Sequence, residues 1–334
     1  MNEVVGGRRY GMKADKIASE DVAYKKTPGL ALWVPKCRVK NKRILITGGA
    51  GFIGKHLWGS LCGENDVRVY DSATEGGGDI RSATRLKAEV ADKIDIVIHC
   101  AAVAGIYSVD ADPFATLDIN LGGTLSLVKL CQIYRPELVV NFSSSEVYGL
   151  FAYDAKESDQ TSQGAVHEGR WVYGVSKLAA EYAVALSGIN YVSVRPFNIY
   201  GPGQKGEGAI HDFVKMALRN VDLTIHGAGS QVRSWCYITD FIDAMMEILG
   251  TKRAWNRIYN IGNPHATITV KGLAEKIIEA TGSASSLVYT KYDGPEVKVR
   301  VPNIDLARKA LMFDPKVSID EGIKKTVAYY RKWL

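Results

Sequence analysis

Arg43-Ile-Leu-Ile-Thr47 runs without a break into Gly48-Gly-Ala-Gly51-Phe-Ile-Gly54, and the junction of these two stretches decides the fold. The first is apolar, rich in β-branched residues and free of polar alternation, the pattern of a parallel strand buried on both faces. In the second, Gly48, Gly51 and Gly54 recur every three residues. A strand-to-helix turn needs glycine for its backbone angles, for close approach to a pyrophosphate, and for tight packing of helix on strand. A helix from there to about Gly63 presents its free N–H groups to that pyrophosphate. Asp66-Val-Arg-Val-Tyr70 then reads as a second strand ending at Asp71, roughly twenty residues past the glycines. A carboxylate there accepts from both ribose hydroxyls and repels a 2′-phosphate, which points to NAD rather than NADP. The bland alternative is a structural glycine turn. The ordered succession of strand, glycines, helix, strand and acid argues against it.

Strands and helices continue to alternate, which predicts an α/β fold with a doubly wound parallel sheet. Asp95-Ile-Val-Ile-His99 and Leu138-Val-Val-Asn-Phe142 read as buried strands separated by a helical stretch from about Pro113 to Tyr134, and Tyr191-Val-Ser-Val-Arg195 follows a helix over 171–188. Ligands in such sheets sit beyond the carboxyl ends of the strands, where Ala101, Ala102, Ser144 and Asn198 should gather. The expected organisation is a basic, flexible leader over 1–42, a dinucleotide-binding domain over 43–200, and a smaller substrate-binding lobe over 201–334 that threads partly back onto the large domain.

Trp171-Val-Tyr-Gly-Val-Ser-Lys177 and Phe142-Ser-Ser-Ser-Glu-Val-Tyr-Gly149 carry the candidate chemistry. On a helix the i,i+4 spacing sets Tyr173 and Lys177 on one face, about 6 Å apart at Cβ, so the ammonium can stabilise a tyrosinate. Free Tyr, with a pKa near 10, is otherwise a poor base at neutral pH. A serine hydroxyl from another strand end, Ser144, can hold a substrate alcohol against the phenol. Taken alone, Tyr173 and Lys177 also fit an amphipathic helix with a surface lysine.

With 334 residues, 46% of them hydrophobic, the chain can bury a sizeable core. No run approaches eighteen apolar residues and the N-terminus lacks the apolar core of a signal peptide, so a soluble cytoplasmic protein is expected, with no membrane partner. Five cysteines without a C-x-x-C pair fit reduced thiols, and six scattered histidines give no reason to expect a metal. Net charge is +6, but residues 1–43 hold eleven Lys/Arg against four Asp/Glu, so the basic character belongs to the leader. No nucleic-acid role is expected, because aromatic-interleaved basic clusters are missing. Leu30-Ala-Leu-Trp-Val34 could fold over a cleft or a partner subunit.

The glycine turn and the Tyr173/Lys177 pair resemble the extended short-chain dehydrogenase/reductase family, in its nucleotide-sugar epimerase, dehydratase and decarboxylase branch. Further matching stretches run from His99-Cys-Ala-Ala102 through Asn120-Leu-Gly-Gly-Thr124, Arg195-Pro-Phe-Asn-Ile-Tyr-Gly-Pro202 and Gln231-Val-Arg233 to Arg300-Val-Pro-Asn-Ile-Asp305. The resemblance implies a Rossmann-type domain holding NAD through Gly48, Gly51, Phe52, Ile53, Gly54, Asp71, Asp79, Ile80, Ala101, Ala102, Tyr173 and Lys177. It implies oxidation of a sugar 4-hydroxyl to a transient 4-ketone, with Tyr173 as base, Lys177 as its support and Ser144 as hydrogen-bond donor. Ser145, Asn198, Arg233 and Arg300 are the expected substrate contacts, the two arginines on the diphosphate.

Glu146 is the residue on which the net reaction turns. A ketone acidifies the neighbouring carbon, so a carboxylate beside it can serve elimination or inversion, whereas 4-epimerisation needs only rotation and hydride return. The dTDP-glucose 4,6-dehydratases of the family use an Asp-Glu pair, and Ser145 in place of the Asp counts against that type. Ser-Ser-Glu resembles GDP-mannose 4,6-dehydratases and UDP-glucuronate decarboxylases, and Arg170-Trp171 is decarboxylase-like. Epimerisation of a nucleotide-diphosphate hexose is placed first, with 4,6- or 5,6-dehydration or UDP-glucuronate decarboxylation as alternatives. A non-catalytic NAD-binding regulator is the other class. A homodimer through a four-helix bundle of 113–134 and 171–188 is also expected, with Leu117, Leu121, Leu125, Val128 and Cys131 as an apolar stripe.

Overall fold

A computed structural model describes residues 38–74, 77–291 and 294–334. Ile44, Leu45 and Ile46 are fully buried in β1 (Arg43–Thr47), so this strand is covered on both faces. From it the chain alternates through α1 (Phe52–Leu61), β2 (Asp66–Tyr70), α2 (Ala83–Ala91), β3 (Ile96–His99), α3 (Ile106–Ala111), α4 (Pro113–Leu117), α5 (Gly123–Tyr134), β4 (Leu138–Phe142), β5 (Phe151–Ala155), α6 (Trp171–Ala185) and β6 (Tyr191–Pro196). Then follow β7 (Ile199–Tyr200), α7 (Ala209–Leu218), β8 (Leu223–His226), β9 (Val232–Ser234), β10 (Cys236–Tyr237), α8 (Ile238–Gly250) and β11 (Arg257–Ile261). The last elements are β12 (Thr267–Thr269), α9 (Val270–Thr281), β13 (Leu287–Thr290), β14 (Val299–Pro302), α10 (Asp305–Leu311) and α11 (Ile319–Tyr330).

Six strands form the expected parallel sheet in the order β11-β6-β4-β3-β1-β2. The chain steps from β1 outward to β2, then returns across β1 to β3, so the strand order reverses beside β1. A crevice opens at such a point beyond the carboxyl ends of the strands. A second, four-stranded sheet has the order β12-β9-β14-β5. It takes β5 from the first half of the chain, while β11 from the second half completes the large sheet, so each sheet draws strands from both halves.

Two elements differ from the sequence pattern. The stretch 113–134 is not one helix, because Asp118–Gly122 form a π turn between α4 and α5. The wider turn rotates the helix face, so the stripe splits: Val128 and Cys131 are buried while Leu125 is exposed. The apolar side chains left exposed here are Phe114, Leu125 and Ile133, with Val175, Tyr182 and Leu186 on α6 and just beyond its end. At the other end, residues 38–42 lie on the folded body: Val39 is buried, Arg38 pairs with Glu247 at 2.8 Å and Lys42 with Glu137 at 2.6 Å. Residues 1–37 of the expected leader, with Leu30–Val34 and Cys37, lie outside the described residues. No helix among the described residues is long and apolar enough to cross a membrane.

Candidate active site

The glycine turn is a cradle whose floor is backbone. Gly48 has φ +71°, and a Cβ there would meet the Ala101 nitrogen at 2.5 Å. A Cβ on Gly54 would stand 2.6 Å from the Gly48 oxygen. Both positions therefore exclude a side chain. α1 starts at Phe52 with no side-chain cap. The Phe52 and Ile53 side chains pack on the core, so what they offer an anion is backbone N–H.

A cavity of about 260 Å³ opens beside the turn, lined among others by Gly48, Gly51, Asp71, Asp79, Ile80, Ala101 and Ala102. Asp71 accepts from the Ala50 N–H and the Ala73 N–H, each at 2.9 Å, one on each carboxylate oxygen. Each oxygen keeps a lone pair for a ribose hydroxyl. Asp79 gives its carboxylate to Arg81, which holds it below the usual range, and Arg81 also pairs with Asp118 at 2.7 Å. Backbone cradle, uncapped helix start and acid together fit NAD.

Ser144 ends the strap that follows β4 and precedes a 3₁₀ turn, Ser145–Tyr148. Its hydroxyl accepts from the Glu146 N–H at 3.1 Å, and it lies near enough to the Tyr173 phenol, on the first turn of α6, to pull that group's pKa down. Lys177, one turn on, donates to the Phe142 carbonyl at 2.7 Å, with Nζ 5.8 Å from the Tyr173 ring centroid. The three groups expected to act together are thus assembled. Their electrostatics differ from expectation: burial pushes the Tyr173 phenol up to about 12, with Ser144 pulling against it. Burial also lowers the Lys177 ammonium to about 8. Desolvation dominates at both groups because each is enclosed by protein.

Sequence reasoning missed a buried network behind Tyr173. His99 bonds Thr47 at 2.7 Å and Thr124 at 2.9 Å, and burial takes its pKa down to about 3, so it is neutral. In the π turn Asn120 accepts from the Val103 N–H at 2.7 Å and donates to Ser176 at 3.1 Å. Ser176 in turn donates to the Tyr173 carbonyl at 2.8 Å. The chain of bonds ties β1, β3 and α6 together under the phenol. Asn120 and Thr124, polar at i,i+4 within an apolar pattern, were the available signal.

Glu146 sits among guanidiniums. Arg170 approaches it at 3.3 Å and Arg300 at 3.4 Å, both through Nη2. Arg300 is 1% exposed and spends further donors on the Ser145 and Gly149 carbonyls. It therefore braces the 144–149 loop, with these donors turned to protein groups, where the sequence had suggested a diphosphate contact. Arg233 is half-buried, donates to the Val232 and Val297 carbonyls at 3.0 and 2.6 Å, and is lowered to about 10 by burial and by Arg300. Pairing of β9 with β14 sets Arg233 directly opposite Arg300, a costly like-charge placement. The Nε atoms of Arg170 and Arg300 are buried without a hydrogen-bond partner among the described residues. Asn198, at φ +41°, donates one amide hydrogen to the Ser234 carbonyl at 2.9 Å and keeps the other. Ser145 is buried, its carbonyl bound by Arg300.

The profile of the NAD dependent epimerase/dehydratase family matches residues 44–262. Among curated proteins, the UDP-N-acetyl-alpha-D-glucosaminuronate decarboxylase of Bacillus cytotoxicus is 29% identical, covering 87% of this chain and 98% of the relative. The human dTDP-D-glucose 4,6-dehydratase is 32% identical, covering 87% and 90%. Among solved structures, a variant of the UDP-glucuronic acid 4-epimerase of Bacillus cereus, in complex with UDP-4-deoxy-4-fluoro-glucuronic acid and NAD, superposes with a TM-score of 0.80 at 26% identity. That similarity covers 87% of this chain and all of the other.

Proposed function

The chain belongs to the NAD dependent epimerase/dehydratase family, and on that premise we propose that it acts on a nucleotide-diphosphate hexuronate, oxidising the 4-hydroxyl and releasing the sugar carboxyl as carbon dioxide. The carrying observation is the pair of guanidiniums, Arg170 and Arg300, around Glu146 on the loop that begins with Ser144. Arg170, Arg233 and Arg300 face two carboxylates, Glu146 and Glu296, which leaves one positive charge in excess. Arg233 suffices to meet a diphosphate, and the Arg170 edge is suited to a second acid group, the uronate carboxylate.

NAD, held by the 48–54 turn and Asp71, would supply the hydride acceptor for carbon 4 and the hydride that restores it. Ser144 donates to the oxygen being oxidised and Tyr173 takes its proton. Lys177 keeps a positive charge beside the phenol and the cofactor ribose. The 4-ketone is then beta to the carboxylate. The bond between carbons 5 and 6 breaks, its electron pair enters the ketone, and the enolate oxygen is held by Ser144 and Tyr173. A proton from water is then added to carbon 5 in place of the lost carboxyl, and the ketone is restored. Arg170 orients the departing carboxylate, and Arg300 fixes Glu146 and the loop. Dehydration is disfavoured by Ser145 in place of an acid.

Epimerisation at carbon 4, placed first on sequence, becomes the second reading. It needs only Ser144, Tyr173 and Lys177, and the similar Bacillus cereus enzyme is a 4-epimerase; it leaves the Glu146 cluster without a task. A non-catalytic regulator would have no use for Ser144, Tyr173 and Lys177 gathered at one place. The test is incubation with UDP-glucuronate, UDP-N-acetylglucosaminuronate, UDP-glucose and dTDP-glucose, followed by mass and NMR analysis. Carbon dioxide loss from a uronate supports the proposal; an isomer of unchanged mass supports epimerisation, and loss of water refutes both. We also propose a homodimer through the apolar side chains left exposed near Phe114, Leu125, Tyr182 and Leu186.

A further inference from the structure

The loop 201–208, directly after β7, is tied down at both ends. His56 of α1 bonds the Pro202 carbonyl at 3.0 Å, and Tyr330 of α11 donates to the Gln204 carbonyl. The far end is held by Glu207. Its carboxylate accepts from the Tyr107 N–H at 2.8 Å, the Ser108 N–H at 2.9 Å and the Ser108 hydroxyl at 2.8 Å. Gly105, at φ +105°, makes room for it: a Cβ there would lie 2.6 Å from the Glu207 carboxyl carbon. Tyr107 makes a second crossing, its hydroxyl meeting His226 Nε2 at 3.2 Å, while His226 Nδ1 meets Thr290 at 3.1 Å.

Both anchored segments continue the walls of the site. Residues 105–108 follow Ala101, Ala102 and Val103, which line the cofactor cavity. Residues 201–208 follow Asn198, where the chain turns out of β6. The loop is rich in glycine, with Gly203 at φ +83° and Gly206 at φ +79°, conformations that leave it little side-chain packing of its own. Its position against α1, α11 and the segment 105–108 therefore depends on what grips it. Three bonds to a single carboxylate are a grip of that kind, two of them with backbone donors that no side-chain substitution in the partner segment removes.

We infer that Glu207 is a positioning residue, which clasps the 201–208 loop over the cleft so that an oxidised sugar is retained until the hydride is returned. The inference rests on the oxidation of a nucleotide sugar proposed above. Retention matters for such a reaction because the ketone has no covalent link to the protein, and each escape leaves the cofactor reduced and the enzyme idle.

The test compares the full chain carrying NAD with its Glu207→Ala and Glu207→Gln variants, using Lys205→Ala in the same loop as control. Three quantities are read: hydrogen exchange at the Tyr107 and Ser108 amides, the dissociation rate of UDP, and the fraction of turnovers that end in released keto-sugar and reduced cofactor. Glu207→Ala should lose amide protection, release UDP about tenfold faster, and raise the abortive fraction about tenfold, a loss equivalent to one charge-assisted hydrogen bond. The first reduction of cofactor in a single turnover should stay within about twofold of wild type, since no reacting group is touched. Glu207→Gln should fall between, and Lys205→Ala should match wild type. Unchanged protection, or an unchanged UDP dissociation rate after protection is lost, overturns the clasp. If wild type itself reduces no cofactor with any nucleotide sugar, the proposed function fails, and the UDP rate still decides the clasp.

Discussion

Replacing Lys177 with Met should make the nucleotide-free protein more stable near neutral pH while destroying its activity. Burial pulls the ammonium from 10.5 down to about 8. Below about pH 8 the group is charged in both folded and unfolded chains, so the folded state carries the whole desolvation cost. Between about 8 and 10.5 the folded chain has released a proton that the unfolded chain still holds, so stability rises with pH. Above that window the cost is gone. The shift corresponds to roughly 3 kcal/mol. Against it stands the lost bond from Nζ to the Phe142 carbonyl, 2.7 Å long, whose orphaning costs about 1–2 kcal/mol. Lys177→Met should therefore gain about 1–2 kcal/mol at about pH 7 and lose that advantage, or turn destabilising, at about pH 10. Urea unfolding of both proteins at the two pH values reads the difference from the midpoints. A variant less stable than wild type at neutral pH, or a difference that ignores pH, would refute the reasoning. The expected pairing of added stability with lost turnover is the usual signature of strain held at a working site.

Other perturbations address separate parts of the site. Tyr173→Phe should lower turnover by roughly 10² to 10⁴ with NAD affinity nearly intact, as titration of cofactor fluorescence would show; a wild-type rate would remove Tyr173 as base. Asp71→Ala should weaken NAD and relax discrimination against NADP, and unchanged affinity for both would place the ribose contact elsewhere. Leu186→Asp, at a side chain 81% exposed, should shift a dimer toward monomer in sedimentation. A wild-type monomer at micromolar concentration would sink the dimer altogether.

The parallel sheet was legible because its signals are local. A buried strand, three glycines, a helix and an acid follow one another within about thirty residues, and each demand is met by the backbone of its own segment. Tyr173 and Lys177 likewise share one helix, and Ser144 stands at a strand end whose place in the sheet the alternation predicts. Their identity and proximity could be read without coordinates, but the direction of their pKa shifts could not, since desolvation is set by what surrounds them.

What required the tertiary structure is what comes together from distant segments. Glu146, Arg170, Arg233 and Arg300 meet because β14 pairs with β9 on one side and β5 on the other, a register no local pattern specifies. That meeting makes Arg300, expected at the diphosphate, a brace of the 144–149 loop. The π turn at Asp118–Gly122 split a stripe that looked continuous, because a helical period read from sequence assumes an unbroken helix. The Glu207 clasp spans about a hundred residues of chain. An acid in a glycine-rich loop carries no mark of the N–H groups it will find, since the partner's backbone donors are the same for every sequence.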